Sequence, residues 1–221
     1  MRARTLIFAL LVVMAGTPAA QAQQVVDRIV ARVEDDILTL SEVRELGRFQ
    51  QLVNSPGTGA QSRLPREDEL IERLIDQWIV NTEATAARFS LPKKEDVQKE
   101  VERLAEQFGS ADAYRARLRE LGLTAESVAR NVERQIYLAR YLDYKLRPAA
   151  HVENAQVEKY FREELAPELR KRGQDAPALE SVEGQVRELL TQREISARAA
   201  KWLEETRARL RIEIAGKKNT P

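Results

Sequence analysis

The sequence contains no cysteine and a single histidine. The absence of cysteine excludes a disulfide framework, a cysteine-based zinc site, a cysteine nucleophile and a thiol redox centre. A serine–histidine–aspartate triad would have to use His151, and a lone histidine does not supply enough ligands for a metal site. We therefore expect His151 to be an incidental surface or interhelix residue, and we predict no catalytic residue, no cofactor and no metal.

Neither sign of charge predominates in the chain. The 221 residues include 36 Lys and Arg and 35 Asp and Glu, which gives a formal net charge of +1. Such a balance provides no overall field to attract nucleic acid or an acidic membrane surface. The basic run Arg170-Lys171-Arg172 has acidic neighbours and no interleaved aromatic residues, so nucleic-acid binding is not expected. Hydrophobic residues make up 43% of the chain, enough for a folded core.

Sequence motifs of common enzymes are also missing. The chain has no G-x-S-x-G, G-x-G-x-x-G or H-E-x-x-H pattern. Carboxylate pairs such as Asp35-Asp36 and Glu163-Glu164 are typical of turns and of solvated helix surfaces. We therefore predict that the protein is not an enzyme.

The first 22 residues have the pattern of a secretory signal peptide. Arg2 and Arg4 form a positively charged start, which the uncharged apolar run from Leu6 to Ala15 follows. That run is about half of the ~20 residues that a membrane-spanning helix needs. Ala20-Gln21-Ala22 is an A-x-A cleavage pattern. We expect cleavage after Ala22, export to a bacterial periplasm, and no stable membrane insertion of the mature chain.

The pattern of residues 28–40 predicts a β-hairpin. Ile29, Ala31 and Val33 alternate with Val30 and Arg32, and residues 34–36 are acidic turn residues. A second β-branched apolar run occupies residues 37–40.

A helix is expected to follow the hairpin, with Ser41 as its N-cap and its end near Val53. Residues 54–66 combine two Gly and two Pro with polar residues, which is typical of a flexible connector.

From Glu67 onwards, apolar residues recur at helical spacing. Capping residues, glycines and prolines indicate where these helices begin and end. They predict a helix from Glu67 to Phe89, one closed by Gly109, one between Ser110 and Gly122, one between Thr124 and Pro148, and one capped by Asn154.

Tyr137, Tyr141 and Tyr144 form an aromatic stripe on the predicted helix that ends before Pro148, because they are spaced by four and by three residues. The stripe either packs against a neighbouring helix with its hydroxyls at the rim, or lines a groove that accepts an extended peptide. Phe49 and Trp78 join these tyrosines as candidate contacts for a bound polypeptide. A position in the core is at least as compatible with each of the five.

The C-terminal part begins with a predicted linker at residues 166–180, which contain Pro167, Gly173 and Pro177. A long helix is expected from Ser181, then a strand over residues 210–214 and a loose tail over 215–221. A lone hairpin is marginal in water and a third strand makes a small sheet viable, so we predict that this strand pairs with the hairpin. The predicted fold is mainly α, with a small antiparallel sheet built from both ends of the chain.

Several segments together resemble a known family. The stretch from Val25 to Leu38, the Ser41-Glu42-Val43 that follows, and the stretch from Leu70 to Ile79 resemble the N-terminal chaperone domain of SurA and its trigger-factor-like relatives. The segment from Ala199 to Ile214 resembles the family's C-terminal segment, which folds back onto that domain. The resemblance covers residues 25–165 and 181–214, and implies one chaperone domain formed by residues 23–165 and 181–214.

The sequence departs from the family's pattern in one respect. Proteins of this family usually carry parvulin prolyl-isomerase domains between the two segments. Here the interval 166–180 has fifteen residues, with one Gly and no His, and is too short for such a domain. The resemblance therefore implies an ATP-independent periplasmic holdase without prolyl isomerase activity, which binds unfolded outer-membrane or secreted polypeptides as clients.

Two other functions are compatible with the sequence. A non-catalytic scaffold or assembly subunit, which binds one dedicated folded partner in the cell envelope, suits charged helical surfaces equally well. A trimeric coiled-coil chaperone of the Skp kind is the other, although the breaks at Gly109, Gly122 and Pro148 disfavour long uninterrupted helices. No feature of the sequence specifies an oligomeric state.

Overall fold

The computed structural model describes residues 27–54 and 65–216. In these ranges the chain is mainly helical with one small antiparallel sheet, so the predicted fold class is confirmed. The predicted signal peptide at residues 1–22, nearly all of the connector and residues 217–221 of the tail lie outside the described residues.

The elements follow one another in a simple order. They are β1 (Ile29–Val33), β2 (Asp36–Thr39), α1 (Leu40–Asn54), α2 (Glu67–Ala86), α3 (Lys94–Glu106), α4 (Ala111–Leu121), α5 (Ala125–Leu146), a 3-10 turn (Arg147–Ala149), α6 (Asn154–Tyr160), a π-helical segment (Phe161–Leu165), α7 (Ala166–Lys171), α8 (Leu179–Arg207) and β3 (Ile212–Ile214).

The sheet joins the two ends of the described chain, as predicted. The strand order is β2-β1-β3, and both pairings are antiparallel. Ala31 lies opposite Ile214, and Val33 lies opposite Ile212. Backbone hydrogen bonds from Glu34 N to Arg211 O and from Ala215 N to Val30 O, both 2.9 Å, continue the pairing at its two ends. The third strand thus converts a hairpin that would be marginal alone into a sheet.

The regular alternation predicted for β1 is wrong at its start. The register shifts between Ile29 and Ala31, as in a β-bulge. Val30 and Ala31 are both buried, whereas Ile29 is exposed. A bulge places two residues of one strand opposite a single partner, so it breaks the strict alternation of faces.

The predicted caps of α4 and α5 are confirmed. Ser110 Oγ accepts a hydrogen bond from Ala113 N at 3.1 Å, and Thr124 Oγ1 accepts one from Ser127 N at 3.0 Å. Gly122 ends α4 with a φ of 62°, a left-handed conformation that glycine adopts without a steric penalty. The Ser110 and Thr124 side chains satisfy amide groups that the first turn of a helix leaves unpaired.

Two predicted helix starts are wrong. Helix α1 begins at Leu40, so Ser41 lies inside it, and Glu42 instead accepts a hydrogen bond from Thr39 N at 2.7 Å. Helix α6 begins at Asn154 with Glu153 as its N-cap, and Glu153 N donates to Gln156 Oε1 at 2.8 Å. In both helices a side chain in the first turn reaches back to the amide before it, so the serine or asparagine is not needed as the cap.

The predicted linker is wrong over its first part. Residues 166–171 form α7, which continues from α6 through the π-helical segment, and irregular backbone is confined to residues 172–178. Pro167 lies directly after the π-helical segment, and such local irregularities accommodate a residue that cannot donate a backbone hydrogen bond within a continuous helical stretch. Helix α8 accordingly begins at Leu179, two residues before the predicted start at Ser181.

Three hydrophobic clusters form the core. The first lies between the sheet, α1 and α2, the second joins α1 with α3, α4 and α5, and the third joins α2 with α5. Trp202 and Leu203 of α8 pack against both the first and the third cluster. Helix α8 therefore connects the sheet end of the molecule with the end of α5.

The end of α8 is attached to α2 through Arg207. Its guanidinium donates hydrogen bonds to Asp76 Oδ1 at 2.8 Å, to Glu72 Oε2 at 2.5 Å and to the Glu72 carbonyl at 2.7 Å. Burial raises the pKa of Asp76, although the charge of Arg207 acts in the opposite direction. We call Arg207, Glu72 and Asp76 the sheet-end arginine cluster.

Candidate functional site

An aromatic surface lies where the loop after α2 meets the end of α5. Phe89 contacts all three tyrosines of the predicted stripe, with ring centroids 5.9 Å from Tyr137, 5.5 Å from Tyr141 and 5.3 Å from Tyr144. Tyr137 and Tyr141 are buried, Phe89 is half-buried, and Tyr144 is 65% exposed. The three tyrosine rings therefore cluster around Phe89, in tilted and edge-to-face contacts that reach from the core to the solvent.

Phe89 reaches this place because of the way α2 ends. Arg88 adopts a left-handed conformation with a φ of 52°. Phe89 N then donates a hydrogen bond back to Ala84 O at 2.9 Å, and Arg88 N donates to Thr85 O at 3.0 Å. This pattern resembles a Schellman C-cap with arginine at the position that glycine usually occupies. The turn directs Phe89 towards α5.

A groove of about 720 Å³ lies beside the rings of Phe89 and Tyr144. The loop after α2 contributes Phe89, α5 contributes Arg140, Asp143 and Tyr144, the 3-10 turn contributes Arg147, and α8 contributes Gln192. We call it the Phe89–Tyr144 groove. It combines an aromatic surface with charged side chains around it, which is the usual composition of a site that binds a polypeptide segment.

The charges at the groove are arranged around Arg147. Its guanidinium donates to Asp143 Oδ1 at 2.8 Å and to Glu188 Oε1 at 2.8 Å, and Gln192 Nε2 donates to the same two carboxylates. Hydrogen bonds from Arg147 lower the pKa of Asp143, and they lower the pKa of Glu188 to about 2. We call Arg147, Asp143 and Glu188 the groove-end arginine cluster. It attaches the 3-10 turn to α8.

Lys145 connects α5 with α2 and α8. Its ammonium group lies 4.7 Å from the ring centroid of Trp202 and 5.7 Å from that of Tyr141, and it donates to Glu83 Oε2 at 3.0 Å. One side chain thereby contacts α2, α5 and α8 together. Cation–π contacts of this kind help to fix the relative positions of the packed helices.

The predicted contact residues do not form one site. Tyr144 is exposed at the groove, whereas Tyr137 and Tyr141 are buried beneath it. Phe49 is 1% exposed in the second core cluster, far along the chain from the groove residues. The structure therefore corrects the prediction for Phe49, Tyr137 and Tyr141, because packed helices leave these side chains almost no surface to offer a partner.

Trp78 has a structural role in the sheet end. It is half-buried, packs against the first core cluster, and its indole Nε1 donates to Asp36 Oδ2 at 2.9 Å. The bond connects α2 to Asp36, the first residue of β2 after the hairpin turn. A buried indole N–H usually finds such an acceptor, so no bound partner is needed to account for Trp78.

The sequence prediction missed Phe89 as a site residue. It assigned Phe89 to the apolar face of α2, but α2 ends at Ala86. The nearby Pro92 was a usable signal, because a proline disfavours helical backbone in the residue before it and marks a coming helix end.

Other possible centres are not formed by the described residues. In residues 27–54 and 65–216 there is no group of three or more His, Asp or Glu side chains placed to hold a metal ion, and His151 is exposed. None of the helices in these two ranges is both long and apolar enough to cross a membrane.

No protein-family model matches the chain, and no curated protein is significantly similar to it. The resemblance to the SurA-type chaperones therefore stays a prediction.

Proposed function

We propose that the protein is an ATP-independent holdase of the bacterial periplasm, without prolyl isomerase activity. It binds segments of unfolded outer-membrane or secreted polypeptides in the Phe89–Tyr144 groove and keeps them from aggregating. The observation that carries the proposal is the exposure of Tyr144, which at 65% is the one exposed aromatic side chain among the described residues. Tyr144 adjoins the other apolar residues that line the groove, Phe89, Ala139 and Pro148, and a contiguous apolar surface rimmed by polar side chains is the kind of feature that marks an interaction site.

Weak apolar contacts suit a chaperone that releases its client without ATP hydrolysis. Burying one large apolar side chain contributes about 1.5–3 kcal/mol, which is weak for a single contact. Exchange between alternative client segments is then fast, and many sequences fit. The buried rings of Tyr137 and Tyr141 hold Phe89 in place beneath the contact, so the surface is rigid before a client arrives.

Suppression of aggregation tests the proposal. An outer-membrane protein unfolded in urea is diluted into buffer with increasing amounts of this protein, and aggregation is followed by light scattering. We expect suppression at near-stoichiometric ratios, and weaker suppression by Tyr144→Ala. Ile37→Ala is the matched control, since Ile37 is 47% exposed on the sheet, away from the groove. Scattering that stays unchanged over a wide range of ratios contradicts the proposal.

A scaffold subunit is the second candidate function. Helix α8 has 29 residues, of which only Val186, Ile195 and Ala199 are buried, and Leu189 is 42% exposed on it. A long helix with so little burial offers a surface to one folded partner. Affinity capture from a periplasmic extract separates the candidates: one dominant stoichiometric partner supports the scaffold, whereas many unfolded proteins support the holdase.

A further inference from the structure

Most of the hydrogen-bonding capacity at the Phe89–Tyr144 groove is already used. Asp143 accepts from Arg147 and from Gln192, and Glu188 accepts from the same two side chains. Arg147 in turn uses its Nε and both terminal nitrogens on these carboxylates. The groove-end arginine cluster therefore has little left to offer to a bound peptide.

Arg140 is different, because its guanidinium retains donors. It lines the groove, its side chain is 50% exposed, and it lies 3.8 Å from Asp96 Oδ2, which is an ion pair beyond hydrogen-bonding distance. Asp143 and Glu188 together neutralise Arg147, so Arg140 is the groove-lining cation whose hydrogen-bond donors remain available to a ligand. A negatively charged acceptor on a ligand complements these donors.

The spacing of Arg140 and Tyr144 matches an extended peptide. Residues four apart on a helix have their Cβ atoms about 5–6 Å apart on the same face. In an extended chain, side chains two residues apart share a face and lie about 6.6 Å apart, given a rise of about 3.3 Å per residue. A peptide that places an apolar side chain on Tyr144 thus places the side chain two positions away next to Arg140.

We propose that the groove selects client segments in which an acidic side chain stands two residues from a large apolar one, with Arg140 as the residue that determines this specificity. The inference rests on the proposed function, since it concerns the clients of the same groove. Apolar contact with Phe89 and Tyr144 holds the segment, and the Arg140 guanidinium donates to its carboxylate.

Binding of short peptides tests the inference. Fluorescein-labelled, Gly/Ser-flanked peptides carry Phe-Ser-Glu, Phe-Ser-Gln, Phe-Glu-Ser or Phe-Ser-Lys at their centre, and binding is measured by fluorescence anisotropy at low salt. We expect the Phe-Ser-Glu peptide to bind about two- to five-fold more tightly than the other three, which is the range for a solvent-exposed ion pair. The preference should weaken in 0.5 M salt.

Two arginine variants test whether Arg140 causes the preference for the Phe-Ser-Glu peptide. Arg140→Gln should bind the Phe-Ser-Glu and Phe-Ser-Gln peptides equally. Arg134→Gln should keep the wild-type preference, because Arg134 is an exposed arginine of the same helix that does not line the groove. Circular dichroism checks that both variants are folded.

Each outcome bears on a different proposal. Equal binding of all four peptides by the wild type, tighter binding of the lysine peptide, or a preference that persists in Arg140→Gln overturns the role of Arg140 and leaves the holdase proposal intact. Failure to bind any peptide, together with failure to suppress aggregation, overturns the proposed function itself.

Discussion

The sheet-end and groove-end arginine clusters both help to attach α8 to other helices, and they differ in burial. At the sheet end, Arg207 is 26% exposed and binds Glu72 and Asp76, which are 35% and 37% exposed. At the groove end, Arg147, Asp143 and Glu188 are 40%, 37% and 54% exposed, so Arg147 and Glu188 account for the difference. Both arginines act to lower the pKa of their carboxylate partners, but burial outweighs this at Asp76, whose pKa is raised, whereas the pKa of Glu188 is lowered to about 2.

The comparison shows that solvent access decides what an arginine–carboxylate cluster does. A partly buried cluster costs desolvation, and removing one partner leaves an uncompensated charge. A solvated cluster contributes less to the free energy of unfolding, because water and salt screen its charges. We therefore assign a larger stabilising role to the sheet-end arginine cluster than to the groove-end arginine cluster.

Removal of the closing strand should have the largest effect. Deleting residues 208–221 removes Leu210, Ile212 and Ile214, which pack half-buried against the first core cluster. We expect the free energy of unfolding to fall by about 2–5 kcal/mol in urea titration, on the scale of burying such side chains. Deleting residues 217–221 alone is the control, because it leaves β3 in place. Equal unfolding midpoints for the two deletions would show that the sheet end does not depend on β3.

Breaking each arginine cluster tests the comparison directly. We expect Arg207→Ala to lower the free energy of unfolding by about 1–3 kcal/mol, since it removes the guanidinium that neutralises two half-buried carboxylates. The matched variant Arg147→Ala should cost clearly less than Arg207→Ala, because Glu188 is more exposed than either carboxylate partner of Arg207. Urea titration followed by tryptophan fluorescence measures both. Equal losses would remove the distinction between the two ends.

The two ends should also respond to acid with opposite signs. Glu188 has a lowered pKa in the native state, so it adds stability above its ordinary pKa that is lost as the pH falls towards about 2. Asp76 has a raised pKa, so its contribution is present at low pH and is lost as the pH rises through that raised value.

Unfolding titrations between pH 2 and pH 6 measure these contributions. Glu188→Gln should reduce the loss of stability on acidification, and Asp76→Asn should increase it. A change of the same sign in both variants would contradict the assignment.

The smallest expected effect concerns two residues with a positive φ. Arg88, near the groove, has a φ of 52°, and Glu34, at the sheet end, has a φ of 53°. Glycine adopts a positive φ without the steric cost that a Cβ atom imposes, so Arg88→Gly should stabilise the protein by about 0.5–1 kcal/mol. Glu34→Gly should give no such gain, because its carboxylate accepts a hydrogen bond from Arg211 N at 2.7 Å. Thermal unfolding compares the two, and equal shifts would argue against a structural role for the Glu34 side chain.

Features set by local chemistry could be predicted from the sequence. The caps at Ser110 and Thr124 and the end at Gly122 follow from side chains and backbone freedom at single positions. The pairing of β3 with β1 also followed, because no other strand candidate was available to complete the sheet. Each of these predictions needed only a few residues and one physical rule.

Features set by packing could not be predicted in the same way. The helical spacing of Tyr137, Tyr141 and Tyr144 was correct, but which of them stays exposed depends on where Phe89 and α8 lie. The bulge in β1 and the helical state of residues 166–171 likewise depend on neighbours distant in sequence. Sequence periodicity defines a face of an element without saying how far the next element covers it.

The position of β1 in the middle of the sheet has a consequence for how the chain is made. Arg211 bonds to Glu34 across a separation of 177 residues, so the native sheet cannot form until residues 212–214 have left the ribosome. Contacts this distant in sequence close late and slow the search for the native state. The β1–β2 hairpin therefore lacks its third strand throughout synthesis, and β1 gains its second hydrogen-bonded neighbour only when β3, the last strand of the described residues, has been made.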